Sequence, residues 1–76
     1  MLQDLVKVAV IGAGKWGKNL VKNFYELGSL AAVVDEDESR LNKIGRDYRG
    51  VPLINNLNDL WKLDITAVAV ATPAFT

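Results

Sequence analysis

The chain reads as an α/β fold, a parallel sheet of four strands in the order 3-2-1-4 with helices on both faces. Two observations predict it. Apolar, β-branched runs alternate with segments in which apolar residues recur at helical spacing, and no repeat or low-complexity tract interrupts that alternation. Right-handed crossovers between successive parallel strands then set the order, which is half of a doubly wound sheet.

The first run, Leu5 to Ile11, is nearly continuous and apolar, as a strand covered on both faces must be, with Lys7 near its entrance and Gly12 at its exit. Trp16, Leu20, Val21, Phe24 and Leu27 then recur at helical intervals, with Lys18, Lys22, Asn23 and Glu26 opposite, which predicts an amphipathic helix ended by Gly28. Leu30 to Val34 is a second strand closing at Asp35. Asp37 is placed to cap a helix whose Leu41, Ile44 and Tyr48 share a face, and Gly50 stops it. Pro52 marks Val51 to Ile54 as a weak or edge strand. Leu57, Leu60 and Trp61 predict a short helix capped by Asn55 or Asn56, with Trp61 in the core. Ala67 to Ala71 is the fourth strand.

With 76 residues the chain is one small domain, and its nine basic and nine acidic side chains cancel, so no positive field gathers a nucleic acid or an anionic membrane. It has neither Cys nor His, which removes disulfides, thiolate nucleophiles, the usual zinc sites and the commonest general base. No apolar run approaches the roughly 18 residues of a spanning helix, and the first four residues lack a targeting pattern, so a cytoplasmic location is expected.

Gly12-Ala13-Gly14-Lys15-Trp16-Gly17 has the G-x-G-x-x-G spacing between a strand and a helix. The first glycine permits the tight turn, the second leaves the backbone open to a pyrophosphate, and the third lets the helix pack on the sheet. The helix N-terminus beyond them offers N–H groups and a positive dipole to an anion. Asp35, eighteen residues past Gly17 at the end of the second strand, is placed to accept from both hydroxyls of an adenosine ribose. Together these predict a partial Rossmann fold that binds NAD. NADP is the weaker alternative, because Asp35, Glu36 and Asp37 would repel a ribose phosphate and only Arg40 opposes them. An S-adenosylmethionine site shares the first loop and the acid, but the third glycine favours a diphosphate. Lys15 is either a phosphate contact or a solvated side chain. The Trp16 ring is read first as an apolar anchor, with its backbone N–H available to the ligand. Lys18, Lys22 and Lys43 read as solvated helix faces.

Thr72-Pro73-Ala74-Phe75-Thr76, following the Ala-Val-Ala-Val-Ala strand, extends the pattern. With the glycine motif and the strand ending in Asp35, this segment resembles the Gfo/Idh/MocA oxidoreductases, the glucose-fructose oxidoreductase and inositol dehydrogenase family, over essentially the whole chain. The resemblance implies that Gly12, Lys15 and Trp16 hold the pyrophosphate through their backbone and that Asp35 and Glu36 hold the adenosine ribose. It also implies that Ala71, Thr72 and Pro73 line the groove toward the nicotinamide-side ribose. Gly14 to Val21 looks like members that oxidise nucleotide-linked or amino sugars. The family's catalytic Lys in a Glu-Lys-Pro segment and its second-domain His have no counterpart here. Residues 1-76 are therefore expected to be the N-terminal half of a dinucleotide-binding domain, without the substrate domain and inactive alone, from a parent that dehydrogenates a sugar. A non-catalytic NAD-sensing module is the rival function. The flat, apolar edge of the fourth strand is expected to pair with a second copy, giving a dimer.

Overall fold

The computed structural model describes residues 6–71. Four parallel strands, β1 (Val8–Ile11), β2 (Leu30–Val34), β3 (Leu53–Ile54) and β4 (Ala67–Val70), form one sheet in the order β3-β2-β1-β4. Helices α1 (Lys15–Glu26) and α2 (Glu38–Asp47) carry the first two crossovers, and a 3-10 helix, Leu57–Lys62, carries the third. The predicted order is the one observed. No helix among the described residues is long and apolar enough to cross a membrane.

Alternation along the strands divides the apolar side chains between two faces. Val10 pairs with Val33, and both pack with Val21 of α1 and with Leu41 and Ile44 of α2. Ala9 pairs with Ala32, and these with Val34, Ile54 and Leu60 form the second face, under the 3-10 helix. The helix boundaries follow local chemistry. Gly28, at φ +76°, ends α1 in a Schellman arrangement: the Ser29 N–H donates to the Phe24 carbonyl and the Gly28 N–H to that of Tyr25. Gly50, at φ +88°, turns the chain after α2. Asp37 caps α2, its Oδ1 accepting from the Ser39 N–H at 2.9 Å and the Ser39 hydroxyl at 2.7 Å. These bonds, the hydroxyl's first, hold its carboxyl below the usual range.

Lys7 lies just before β1, as expected, where its ammonium pairs with Asp64 and its N–H donates to the Thr66 hydroxyl. Pro52 leaves β3 only two residues long at one edge. Three packing expectations fail. Trp61, expected in the core, is 73% exposed. The segment is a 3-10 helix with about 3.0 residues per turn, so Leu60 and Leu63 follow one another inward while Trp61 is rotated away. Trp16, expected to anchor α1, is 64% exposed. It stands in the first turn of α1, where side chains lean toward the N-terminus and past the end of the sheet. Leu27 is exposed as well, because α1 stops at Glu26 and leaves Leu27 as the cap residue.

Candidate functional site

The carboxyl ends of the strands are stitched together beyond the strands themselves. The Gly12 N–H donates to the Val34 carbonyl at 2.7 Å, the Asp35 N–H to that of Ile54 at 3.0 Å, and the Ala71 N–H to that of Ile11 at 2.8 Å. One line of backbone thus holds the glycine loop, the start of the β2-α2 turn and the exit of β4 side by side. Ligands of open parallel sheets lie at this end, where the strand order reverses.

The three motif glycines stand under different constraints. Gly12 has φ +98°, a conformation that side chains rarely adopt. At Gly17 a Cβ would lie 1.8 Å from the Gly12 carbonyl oxygen and 2.7 Å from its carbon, so the helix can rest on the turn only without a side chain there. Gly14 is under neither constraint. Its φ is −74°, and the nearest atoms to a Cβ built on it are those of the Arg40 guanidinium, at an ordinary contact distance of 3.8 Å. The interior of the chain does not need a glycine at position 14, and the space it leaves opens toward the sheet end.

Gly14 is also the N-cap of α1, and no side chain caps that helix end or places an acid in its first turn. The neighbouring α2 is the opposite case, with Asp37 as cap and Glu38 in the first turn. One helix start is satisfied by the chain, whereas the other presents backbone N–H groups with Lys15 and Trp16 exposed around them. This donor set suits a phosphate.

A family model described as the Oxidoreductase family, NAD-binding Rossmann fold, matches residues 6–76. The chain belongs to this Gfo/Idh/MocA family. No curated protein matches it. Of the residues expected in the Gfo/Idh/MocA site, Gly12, Gly14, Lys15, Trp16, Asp35, Glu36 and Ala71 all fall at the carboxyl end of the sheet, Lys15 and Trp16 in the first turn of α1 and the others in the loops leaving β1, β2 and β4. Thr72 and Pro73 lie outside the described residues. Ala71 lies beside the glycine motif: its N–H donates to the Ile11 carbonyl, and its Cβ stands 3.5 Å from where a Cβ on Gly17 would be.

Asp35 sits at this end of the sheet in a way its sequence position does not announce. It is the one buried charged residue among the described ones, 7% exposed. Its Oδ2 accepts from the Ala13 N–H at 2.7 Å and its Oδ1 from the Asp37 N–H at 2.8 Å. Arg40 closes over it, Nη1 standing 3.6 Å from Oδ2 and Nε 3.8 Å from an oxygen of Asp37. The sequence pointed to Arg40 only as a counter-charge and to Ala13 only as a spacer within the glycine motif. The Asp37 contact had a local signal, because an aspartate accepting from the N–H two residues on is a common turn. The Ala13 contact spans 22 residues and had none. A separate groove of about 290 Å³ opens between α1 and α2, lined by Lys18, Lys43, Ile44, Arg46, Asp47 and Tyr48, and includes neither the glycine loop nor Asp35.

Proposed function

We propose that this chain is the NAD-binding portion of a sugar dehydrogenase, with residues 1-76 forming the N-terminal half of the dinucleotide-binding domain. Gly14 carries the reading: a glycine that internal packing does not require, at the uncapped start of α1, leaves room for a diphosphate at a cluster of N–H donors. The backbone around Gly12, Lys15 and Trp16 holds the pyrophosphate, the acid pair Asp35 and Glu36 serves the adenosine ribose, and Ala71, with Thr72 and Pro73 after it, lines the nicotinamide side. NAD is preferred over NADP because Glu36, exposed beside Asp35, opposes a ribose phosphate. A bound nicotinamide supplies hydride chemistry. The chain contributes binding and orientation, and without His or the family's Glu-Lys-Pro segment it turns over no substrate by itself.

Calorimetry with NAD and NADP tests this reading. NAD binds the native chain more tightly than NADP, and Asp35→Ala removes most of the measurable affinity. Absence of NAD binding to the folded native chain would overturn the proposal.

Self-association of this cytoplasmic protein through β4 is part of the same proposal. β4 is the edge of the described sheet, and its Val68 and Val70, on the face of Ala9 and Ile11, are 43% and 61% exposed because the 3-10 helix packs on β2 and β3. Pairing of two such edges extends the sheet across a two-fold axis. Sedimentation velocity over a hundredfold range of concentration is expected to show a concentration-dependent dimer. A single monomer boundary throughout would remove the edge from consideration.

A further inference from the structure

We infer that the groove between α1 and α2 is a second binding site, for a small phosphomonoester with a ring as its body. It is separate from the glycine loop and does not rest on the dinucleotide reading. Its volume of about 290 Å³ stands at the lower limit of small-molecule sites, roughly 300–1,000 Å³.

By sequence, Lys18 and Lys43 belong to the solvated faces of two different helices. Folding brings both to one groove, where Lys18 lines it from α1, and Lys43 and Arg46 from α2. Like charges gathered in one concave place repel one another and draw in an anion. Three other cations are neutralised within the chain: Lys7 by Asp64, Arg40 by Asp35 and Asp37, and Lys62 by Asp59. None of the groove cations pairs with a described carboxylate, not even with Asp47, the one acid in the lining. The dipole of α2 accounts for Arg46, which stands in its last turn, but not for Lys18 or Lys43.

The composition of the lining selects the ligand. Three cations against one carboxylate give the groove a local charge of +2. A phosphomonoester carries about −1.5 to −2 at neutral pH and matches it, whereas a carboxylate is singly charged. The two ammonium groups act as point charges from opposite helices, and the guanidinium offers a two-pronged fork to phosphate oxygens. Beneath them Ile44 is buried and Tyr48 half-buried, and the Tyr48 ring is held edge-on by Tyr25 at a centroid distance of 4.8 Å. This fixed aromatic wall beside an aliphatic floor suits the ring of a ligand.

Titration of the native protein with phenyl phosphate, followed by amide resonances and calorimetry, tests the site. Binding is expected with a Kd of about 1 mM or tighter, with shifts at Ile44, Asp47 and Tyr48. Inorganic phosphate, without the ring, binds about threefold or more weakly, and benzoate, singly charged, about tenfold or more weakly. Combining Lys43→Gln with Arg46→Gln lowers the affinity for phenyl phosphate about tenfold or more and leaves that for NAD at its native value. Both side chains are exposed, so the double variant keeps the fold. Absence of shifts in the groove at roughly 10 mM phenyl phosphate, benzoate binding as tightly, or undiminished affinity in the double variant would each overturn the site. Equal affinity for inorganic phosphate would overturn the ring as part of the ligand, and a parallel loss of NAD affinity would overturn the separation from the glycine loop.

Discussion

Alanine in place of Gly17 is expected to lower the thermal unfolding midpoint by about 12 °C or more, followed by circular dichroism. The added methyl would stand 1.8 Å from a backbone oxygen and 2.7 Å from a backbone carbon of Gly12. Neither atom is the end of a flexible side chain, so α1 must lift from the turn and take Val21 out of its place against Val10 and Val33. Overpacking of this severity costs about 3 kcal/mol, against a total stability of roughly 4–11 kcal/mol for a chain this size. Between about a quarter and three quarters of that stability is lost to one methyl group. A midpoint lowered by less than about 4 °C would mean that helix and turn are not in the contact described.

Gly14→Ala is expected to have the reverse profile. Its methyl meets only the Arg40 guanidinium at 3.8 Å, and φ is already negative, so the cost to folding is confined to a poorer helix cap, about 1 kcal/mol. The same methyl projects into the space assigned to the pyrophosphate and keeps the ligand from the N–H groups of α1. NAD affinity is therefore expected to fall at least about tenfold, measured by calorimetry on protein whose unfolding midpoint has moved by only a few degrees. Native affinity in a well-folded Gly14→Ala variant would count against the diphosphate site. The two substitutions, three residues apart in one motif, separate the glycine that the fold requires from the one that the ligand requires.

Much of this was legible because it depends on near neighbours. Gly28 stops α1 with a positive φ, Asp37 caps α2 through N–H groups two and three residues ahead, and Pro52 confines β3 to an edge, whereas α2 already ends at its cap Tyr48 and Gly50 turns the chain two residues later. The strand order followed from one handedness rule applied to four apolar runs. What escaped depends on partners distant in sequence or on the kind of helix formed. An α-helical spacing assigned Trp61 inward, whereas a 3-10 helix turned it out. Trp16 satisfied the periodicity of α1 but is exposed in its first turn. Asp35 was found by its distance from the glycines, yet its bond to Ala13 joins two loops that only the folded sheet brings together.

The central position of β1 bears on how the molecule assembles. Its partner on one side lies about twenty residues downstream, but its partner on the other is β4, 59 residues away at the Val8–Ala67 pair. A strand partner so remote along the chain raises the contact order and slows the search for native pairing. The Ala71 N–H reaches Ile11 only after that pairing, so the wall of the groove beside the first glycine is among the later parts to be completed. A nascent chain can close the β1-α1-β2 unit early, while its phosphate loop still lacks one flank.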